Sequence, residues 1–322
     1  MWRGLAKGAL LTAFGRVPGG AGVYRTLTRE WMGTQATHVN KLSRVWPGYV
    51  DVWRSYAGLD LDSADVWVHE GGWTAFPLFA NYLVTGRAGV VTNHRARVLD
   101  RYLARAVNGA IACELSDDAD VARRRRDLEG LRWSPTADAA IEAIGGRLLE
   151  GVEIRRIPLD DESVDLSHSG GVLEHEEPGA VQAFLRESLR ILRPGGVMSH
   201  VIDHRDHLRH ADPDWDFLAH LRLGPRTYAL LCGHPLLYHN RLLPCQMAAM
   251  FERSGFERIA VRRMVLPSGT YVDAEAQVLE GDPGIERARL AGPFRDASEA
   301  DLRTAAAHYL FRKPVSKAAR TA

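Results

Sequence analysis

The sequence predicts an α/β fold in which a mostly parallel sheet is covered by helices, and three observations carry that expectation. From about residue 62 onward, short strand-like runs alternate with helix-period apolar patterns, the succession that parallel strands and crossover helices require. The segment Leu192-Arg193-Pro194-Gly195-Gly196 stops one helical pattern with a proline and turns the chain with glycines into the next strand-like run. The 322 residues, 46% hydrophobic and 25% charged, supply enough apolar material for one large domain with additions.

Taken in order, residues 1–60 read as a helical N-terminal arm or cap carrying Trp31, Trp46 and Trp53 among arginines, and residues 61–322 as the α/β domain. Strands are expected near 64–69, 88–92, 152–156, 163–168 and 196–202, with helices near 73–85, 95–109, 134–148 and 179–193. In the last of these helices Val181, Phe184, Leu185, Leu189, Ile191 and Leu192 fall on one face, which is therefore buried. Residues 114–133 read as a solvated insertion, the basic run at 122–127 being balanced by the acidic residues before it. The stretch 205–250, rich in His, Asp, Pro and Leu, interrupts the sheet pattern and is expected to cover the carboxyl edge as a lid. A helix at 244–254 then precedes a strand from Gly255 to Met264, which pairs antiparallel with a last strand from His308 to Pro314, and 266–300 is a long excursion between them.

Composition excludes several classes. A net charge of +1 gives no basic footprint for general nucleic-acid binding. The longest apolar windows, such as Gly8 to Phe14, fall well short of the roughly 20 residues a bilayer span needs. Arg16 closes that window and no small-residue cleavage site follows, so a short helix is expected there and not a leader. Cys113, Cys232 and Cys245 have no metal-site spacing and are odd in number, which fits reduced thiols in a cytoplasmic setting, in or near the core.

The stretch Ile157 to His204 resembles the second half of class I S-adenosylmethionine-dependent methyltransferases. Ser163-Val164-Asp165 matches the turn into that family's fourth strand, Leu173-Glu174-His175 the opening of the next helix, and Leu192-Arg193-Pro194-Gly195-Gly196 the turn into the fifth strand. The segments His200 to His207 and Tyr238 to Leu242, with Trp73 and Pro77, resemble a bacterial subgroup of it. The resemblance covers roughly residues 60–264 and the final strand. It implies a Rossmann-like class I methyltransferase sheet, mostly parallel with an antiparallel last strand, whose ligands bind at the carboxyl ends of the strands.

The cofactor loop departs from the family. Aligned on Trp73, Gly72 keeps the loop's second glycine, Glu70 falls where the first stands, Gly71 lies between them, and Val68 falls on the acid that ends the first strand. A side chain at Glu70 would enter cofactor space and adopt glycine's angles only with strain. A shifted alignment instead makes Glu70 the strand-end acid, with Gly71 and Gly72 as a shortened loop. The second strand ends in Asn93 or His94, where the family has an acid that accepts both ribose hydroxyls; an amide accepts through one oxygen and carries no charge. The sequence therefore favours no cofactor, with S-adenosylmethionine as the alternative. Ser169, Gly170 and Gly171, ending the fourth strand, are expected to line the pocket.

The densest polar constellation is the lid. Asp203 lies just past the fifth strand, with His207 four residues on, a spacing at which a carboxylate orients an imidazole for base catalysis. His204, His239 and Arg241 complete the expected catalytic set, Arg241 being suited to hold an anion bidentately; its structural alternative is a buried Arg–Asp pair closing the lid. His and Asp pinning the lid structurally is the competing reading of the set. A metal set of His204, His207 and His239 has no recognised spacing, and no metal is expected. His175 reads as a helix-start residue packed on the sheet.

The leading expectation is an enzyme of secondary metabolism that displaces a leaving group on a small molecule, free or carrier-bound, without S-adenosylmethionine. Aziridine-type ring closure with loss of sulfate or phosphate would be one example. The alternatives are a working small-molecule O- or N-methyltransferase, and a non-catalytic partner subunit or homodimer that would use the tryptophan-rich arm as its contact surface. Neither nucleic acid nor membrane is an expected partner.

Overall fold

A computed structural model describes residues 2–30, 34–69, 74–94, 98–115, 118–265, 271–273 and 285–315. Three helices open the chain: α1 (Trp2–Arg16), α2 (Gly20–Glu30) and α3 (Thr34–Val52), the last running into a single π turn, Trp53–Ala57. The first half of the sheet and its helices follow as β1 (Val66–His69), α4 (Phe76–Thr85), β2 (Val90–Asn93), α5 (Leu103–Ile111), α6 (Ala119–Leu131), α7 (Ala137–Ala143) and β3 (Arg147–Glu150). The second half is β4 (Val164–Gly170), α8 (Pro178–Ile191) and β5 (Leu192–Asp203), then the short helices α9 (Ala219–Arg222) and α10 (Pro225–Cys232). The chain closes with α11 (Pro244–Arg253), β6 (Glu257–Val265), β7 (Tyr271–Asp273), α12 (Glu299–Arg303) and β8 (Thr304–Arg312). No helix among the described residues is long and apolar enough to cross a membrane.

The eight strands form one sheet in the order β3-β2-β1-β4-β5-β8-β6-β7. Strands β1 to β5 run parallel, and β8 enters antiparallel between β5 and β6. This is the mostly parallel sheet with an antiparallel last strand that the sequence predicts. The order reverses at β1, beside β4, so the crevice beyond the carboxyl ends of these two strands is where a doubly wound sheet binds its ligand.

Two apolar layers cover the sheet. One face buries Val66, Val68, Val91 and Leu166 against Trp46, Phe76, Phe79 and Leu83 of the arm and α4. The other buries Trp67, Met198, Ile202 and Tyr309 against Phe184, Leu185 and Phe251 of α8 and α11. Trp46 and Trp53 are completely enclosed, so they form core and offer no surface for a partner subunit; Trp31 lies outside the described residues. The thiols are less uniform than expected: Cys113 is buried, and Cys245 is exposed.

Two expectations are corrected. The insertion at 114–133 contains helix α6, which packs on α4 and α5 through Val121 and Leu128. Its Arg124 is buried and donates to Val84 O at 2.9 Å, satisfying the carbonyl-rich end of α4, so part of the basic run caps a neighbouring helix. The third strand lies at 147–150 rather than 152–156, because the preceding helix ends at Ala143 and Gly145, with φ of 67°, turns the chain early. The positive φ of the Pro194 turn sits on Gly195 alone; Gly196 is needed because a Cβ there would lie 2.8 Å from Arg193 O.

The centre of the sheet is polar but paired. His168 Nδ1 donates to Ser199 O at 2.7 Å, and the Ser199 hydroxyl accepts from Trp53 Nε1 and faces His308 Nε2, both at 2.8 Å. His200 Nδ1 meets Ser169 Oγ at 2.7 Å on the opposite face. Burial lowers the His168 pKa to about 4 and that of His308 to about 3, so both stay neutral at pH 7. In the unfolded chain they titrate near 6.5. Their contribution is therefore complete above that pH and lost as acid protonates the unfolded state, over a window running from 6.5 down to about 4 or 3. Each should remove about 2 kcal/mol of unfolding free energy between pH 7 and pH 5. Urea titrations of the parent and of His308→Gln at both pH values check this. An acid loss as large in the variant as in the parent would show that His308 takes up its proton in the fold.

Candidate active site

A cavity of about 790 Å³ opens at the carboxyl ends of β1, β2 and β4, a size in the range of small-molecule sites. His69 ends β1, His94 follows β2, and Gly170 and Gly171 follow the body of β4. Arg25 and His38 of the arm, Glu153 to Arg155 beyond β3, His175 to Glu177 beyond β4, and Gly233 to Pro235 with Tyr238 are also on the wall. The β4 end is tight: a Cβ on Gly170 would sit 3.3 Å from Tyr49 Oη, and Gly171 has φ of 73°, which favours glycine. Ser169, expected beside them in the pocket, is instead buried and bonded to His200. A second cavity, about 410 Å³, lies at the opposite, amino edge beside Asp65 and Gly89, away from the strand ends where this fold carries chemistry.

The positions that hold an adenosyl cofactor in the resembling family are occupied as follows. Val68 is buried in the core, paired with Val91 and His168, so no acid stands there. His69 faces the cavity, packs on Phe184 at 4.9 Å between ring centres and meets Thr92 Oγ1 at 3.2 Å; burial lowers its pKa to about 3. Asn93 ends β2 and is fully buried. Glu70, Gly71, Gly72 and Trp73, on which the expected steric loss turned, lie outside the described residues. Glu153, a carboxylate just beyond β3, is on the cavity wall.

Most of the catalytic set expected in the lid is engaged structurally. Asp203 accepts from Arg205 Nε at 2.9 Å and Nη2 at 2.7 Å, and lies 3.3 Å from His210 Nε2. Although burial opposes its charge, those hydrogen bonds hold its carboxyl well below the ordinary range, so it is too weak a base for the role expected of it. His204 lies between Leu242 O at 3.1 Å and Tyr309 Oη at 2.8 Å, and both ring nitrogens are used. His239 donates from Nε2 to Asp203 O at 2.8 Å and accepts Arg241 N–H at Nδ1, 3.1 Å away. With both of their ring nitrogens bonded to other groups, His204 and His239 do not form a metal set with His207. Arg241 has a left-handed backbone with φ of 58°, lays its guanidinium 3.8 Å from the centre of the Tyr228 ring, and donates to Leu223 O at 2.8 Å. That stacked, carbonyl-bound guanidinium replaces both the anion clamp and the Arg–Asp pair considered from the sequence. His207 forms no hydrogen-bonded dyad with Asp203; its ring packs among His175, His210 and His239 at 4.7, 5.4 and 5.0 Å between centres.

Two residues outside the expected catalytic set stand out. Glu174 is buried at 1% exposure, and burial raises its pKa to about 8. His175 is exposed on the cavity wall, with Nδ1 donating to Tyr238 O at 3.1 Å, so it is no packed helix-start residue. Their place immediately after the fourth strand was the available signal, since that edge is where the fold puts ligands.

The arm holds the lid from outside. Gly4 N donates to Asp212 Oδ2 at 3.0 Å, Thr12 Oγ1 to Leu231 O at 3.2 Å, and Arg25 to Pro235 O at 3.1 Å. A Cβ on Gly4 would overlap the Trp215 ring, which explains a glycine inside α1.

Residues 98–199 match the family described as methyltransferase domain. No curated protein matches the chain. Among solved structures, an S-adenosylmethionine-dependent methyltransferase from Mesorhizobium loti is 18% identical, covering 81% of this chain and 97% of its own, at a TM-score of 0.40. One from Methanosarcina mazei is 12% identical, covering 82% and 98%, at 0.39. The [4+2]-cyclase SpnF is 15% identical, covering 86% and 81%, at 0.41. With the sheet order, the family match bears out the resemblance to class I methyltransferases.

If Arg241 is a structural pin, Arg241→Lys should lose the planar stack and the carbonyl bonds and cost about 1–3 kcal/mol, nearly as much as Arg241→Ala. Urea denaturation of both variants measures it. Full stability in the lysine variant would return Arg241 to the ligand-binding candidates.

Proposed function

We propose that this methyltransferase-like chain is an enzyme that displaces a leaving group on a small molecule held in the strand-end cavity, without using S-adenosylmethionine as donor. The observation that carries the reading is Asn93: at the end of β2 an amide stands where a carboxylate would accept both ribose hydroxyls. Val68 in the core supports it from β1.

In this reading an amine or hydroxyl of the substrate attacks a saturated carbon bearing an anionic group. The new C–N or C–O bond forms as the bond to the leaving oxygen breaks, and that oxygen departs with the electron pair. The nucleophile's proton passes to an imidazole of the wall, for which we assign His94 beside Asn93. Arg25 and Arg155 are the wall's cations for the departing anion. Ring closure within one molecule satisfies the same chemistry, and sulfate or phosphate are the leaving groups those arginines suit.

A second reading, a methyltransferase that does use the sulfonium donor, is favoured by one observation: the cavity at the donor's usual seat is roomy, and Glu153 offers a carboxylate on its wall. Calorimetry separates the two. S-adenosylmethionine and S-adenosylhomocysteine should bind the parent no tighter than millimolar, and Asn93→Asp should improve either by about tenfold, or about 1.4 kcal/mol. Micromolar binding to the parent, lost in Glu153→Gln, would replace the first reading with the second.

A further inference from the structure

We propose that Glu174, His175 and His207 form a binding site for one divalent first-row transition metal ion of the zinc type, beside the cavity. This goes beyond the displacement reading and holds with or without a sulfonium donor. One ligand atom of each residue lies within 4.8 Å of the others. Ligand atoms about 2.0–2.2 Å from a zinc ion are about 3–3.5 Å apart, so small side-chain rotations close the set.

The second observation is an unmet demand at the same place. Glu174 is 1% exposed, and its Oε2 has no hydrogen-bond partner among the described residues; neither has the buried Nε2 of His207. Leaving a buried polar atom unpaired costs about 1–3 kcal/mol, more for a charged one, and here two residues of the same set each carry one. A cation bound by both removes that penalty.

The surroundings suit ligands as well. His175 gives its Nδ1 proton to Tyr238 O, which leaves the lone pair on Nε2, and a carbonyl holding the far nitrogen is the usual outer partner of a metal-bound imidazole. Glu174 Oε1 accepts from Asp203 N at 3.2 Å, which anchors one edge of the carboxylate. Asp203, His207 and His210 form a second group within the same distance, but Asp203 already carries the Arg205 guanidinium, so the set containing Glu174 is the better one. Three protein ligands leave at least one coordination position open, and one of the three, His175, is on the cavity wall.

Untagged protein stripped with chelator and reloaded with Zn²⁺ should retain one ion per chain by elemental analysis. With Co²⁺ it should show visible ligand-field absorption. Glu174→Gln and His207→Ala should each weaken binding by about a hundredfold or more, since even outer partners of a metal ligand are worth about ten- to a hundredfold. Cys245→Ser, which removes an exposed thiol, should bind as the parent does. Circular dichroism confirms that each variant is folded, and should His207→Ala unfold, the conservative Glu174→Gln decides. No ion retained, or an ion retained equally by Glu174→Gln, overturns the site.

Discussion

The rest of the structure depends on a pairing constraint inside the sheet. Strands β4, β5 and β8 carry Ser167, His168, Ser169, Ser199, His200 and His308 at positions without access to water, where an unpaired polar group costs about 1–3 kcal/mol. The chain meets that constraint laterally. His168 reaches the Ser199 carbonyl on the next strand, and Ser199 links Trp53 of the arm to His308. The N-terminal arm is thereby keyed to the middle of the sheet by a hydrogen bond as well as by the burial of Trp46 and Trp53, and that seating brings Arg25 and His38 to the cavity.

The same demand explains why so many polar residues near the strand ends are unavailable for chemistry. His204 and His239 each have both ring nitrogens occupied by carbonyl, hydroxyl or backbone N–H groups. Burial reinforces this by disfavouring the protonated ring, so these histidines act as neutral hydrogen-bonding groups. What remains for function is the smaller group whose side chains reach the cavity wall.

The fold was legible because its evidence is local. Periodicity marks α8, and the proline and glycines after it mark the turn into β5; either is visible in a few consecutive residues. The third strand was misplaced because Arg147 to Glu150 is short and half-exposed, so its apolar alternation is weak. The lid set differs from the expected arrangement for another reason. Asp203 and His207 have the right spacing for a dyad, but Arg205 lies between them in sequence and takes both carboxylate oxygens. Charge pairing of that kind depends on which way a loop turns, and composition does not encode the turn. Glu174 matches a family motif, and that match carries no sign of its burial or its unpartnered Oε2; His175, read as a packed helix start, is on the cavity wall.

Asn93 differs from an acid in charge as well as in shape. A carboxylate at the end of β2 would present two acceptor oxygens and a full charge to a sugar diol; an amide presents one acceptor and one donor, and no charge. Rotating the amide exchanges those roles but never supplies two acceptors. The deficit lies in the side chain itself, so no rearrangement of residues 70–73 removes it, and a donor bound here would need another carboxylate to take its place. Glu153 is the carboxylate on the wall nearest in sequence to that task, from the next strand of the sheet.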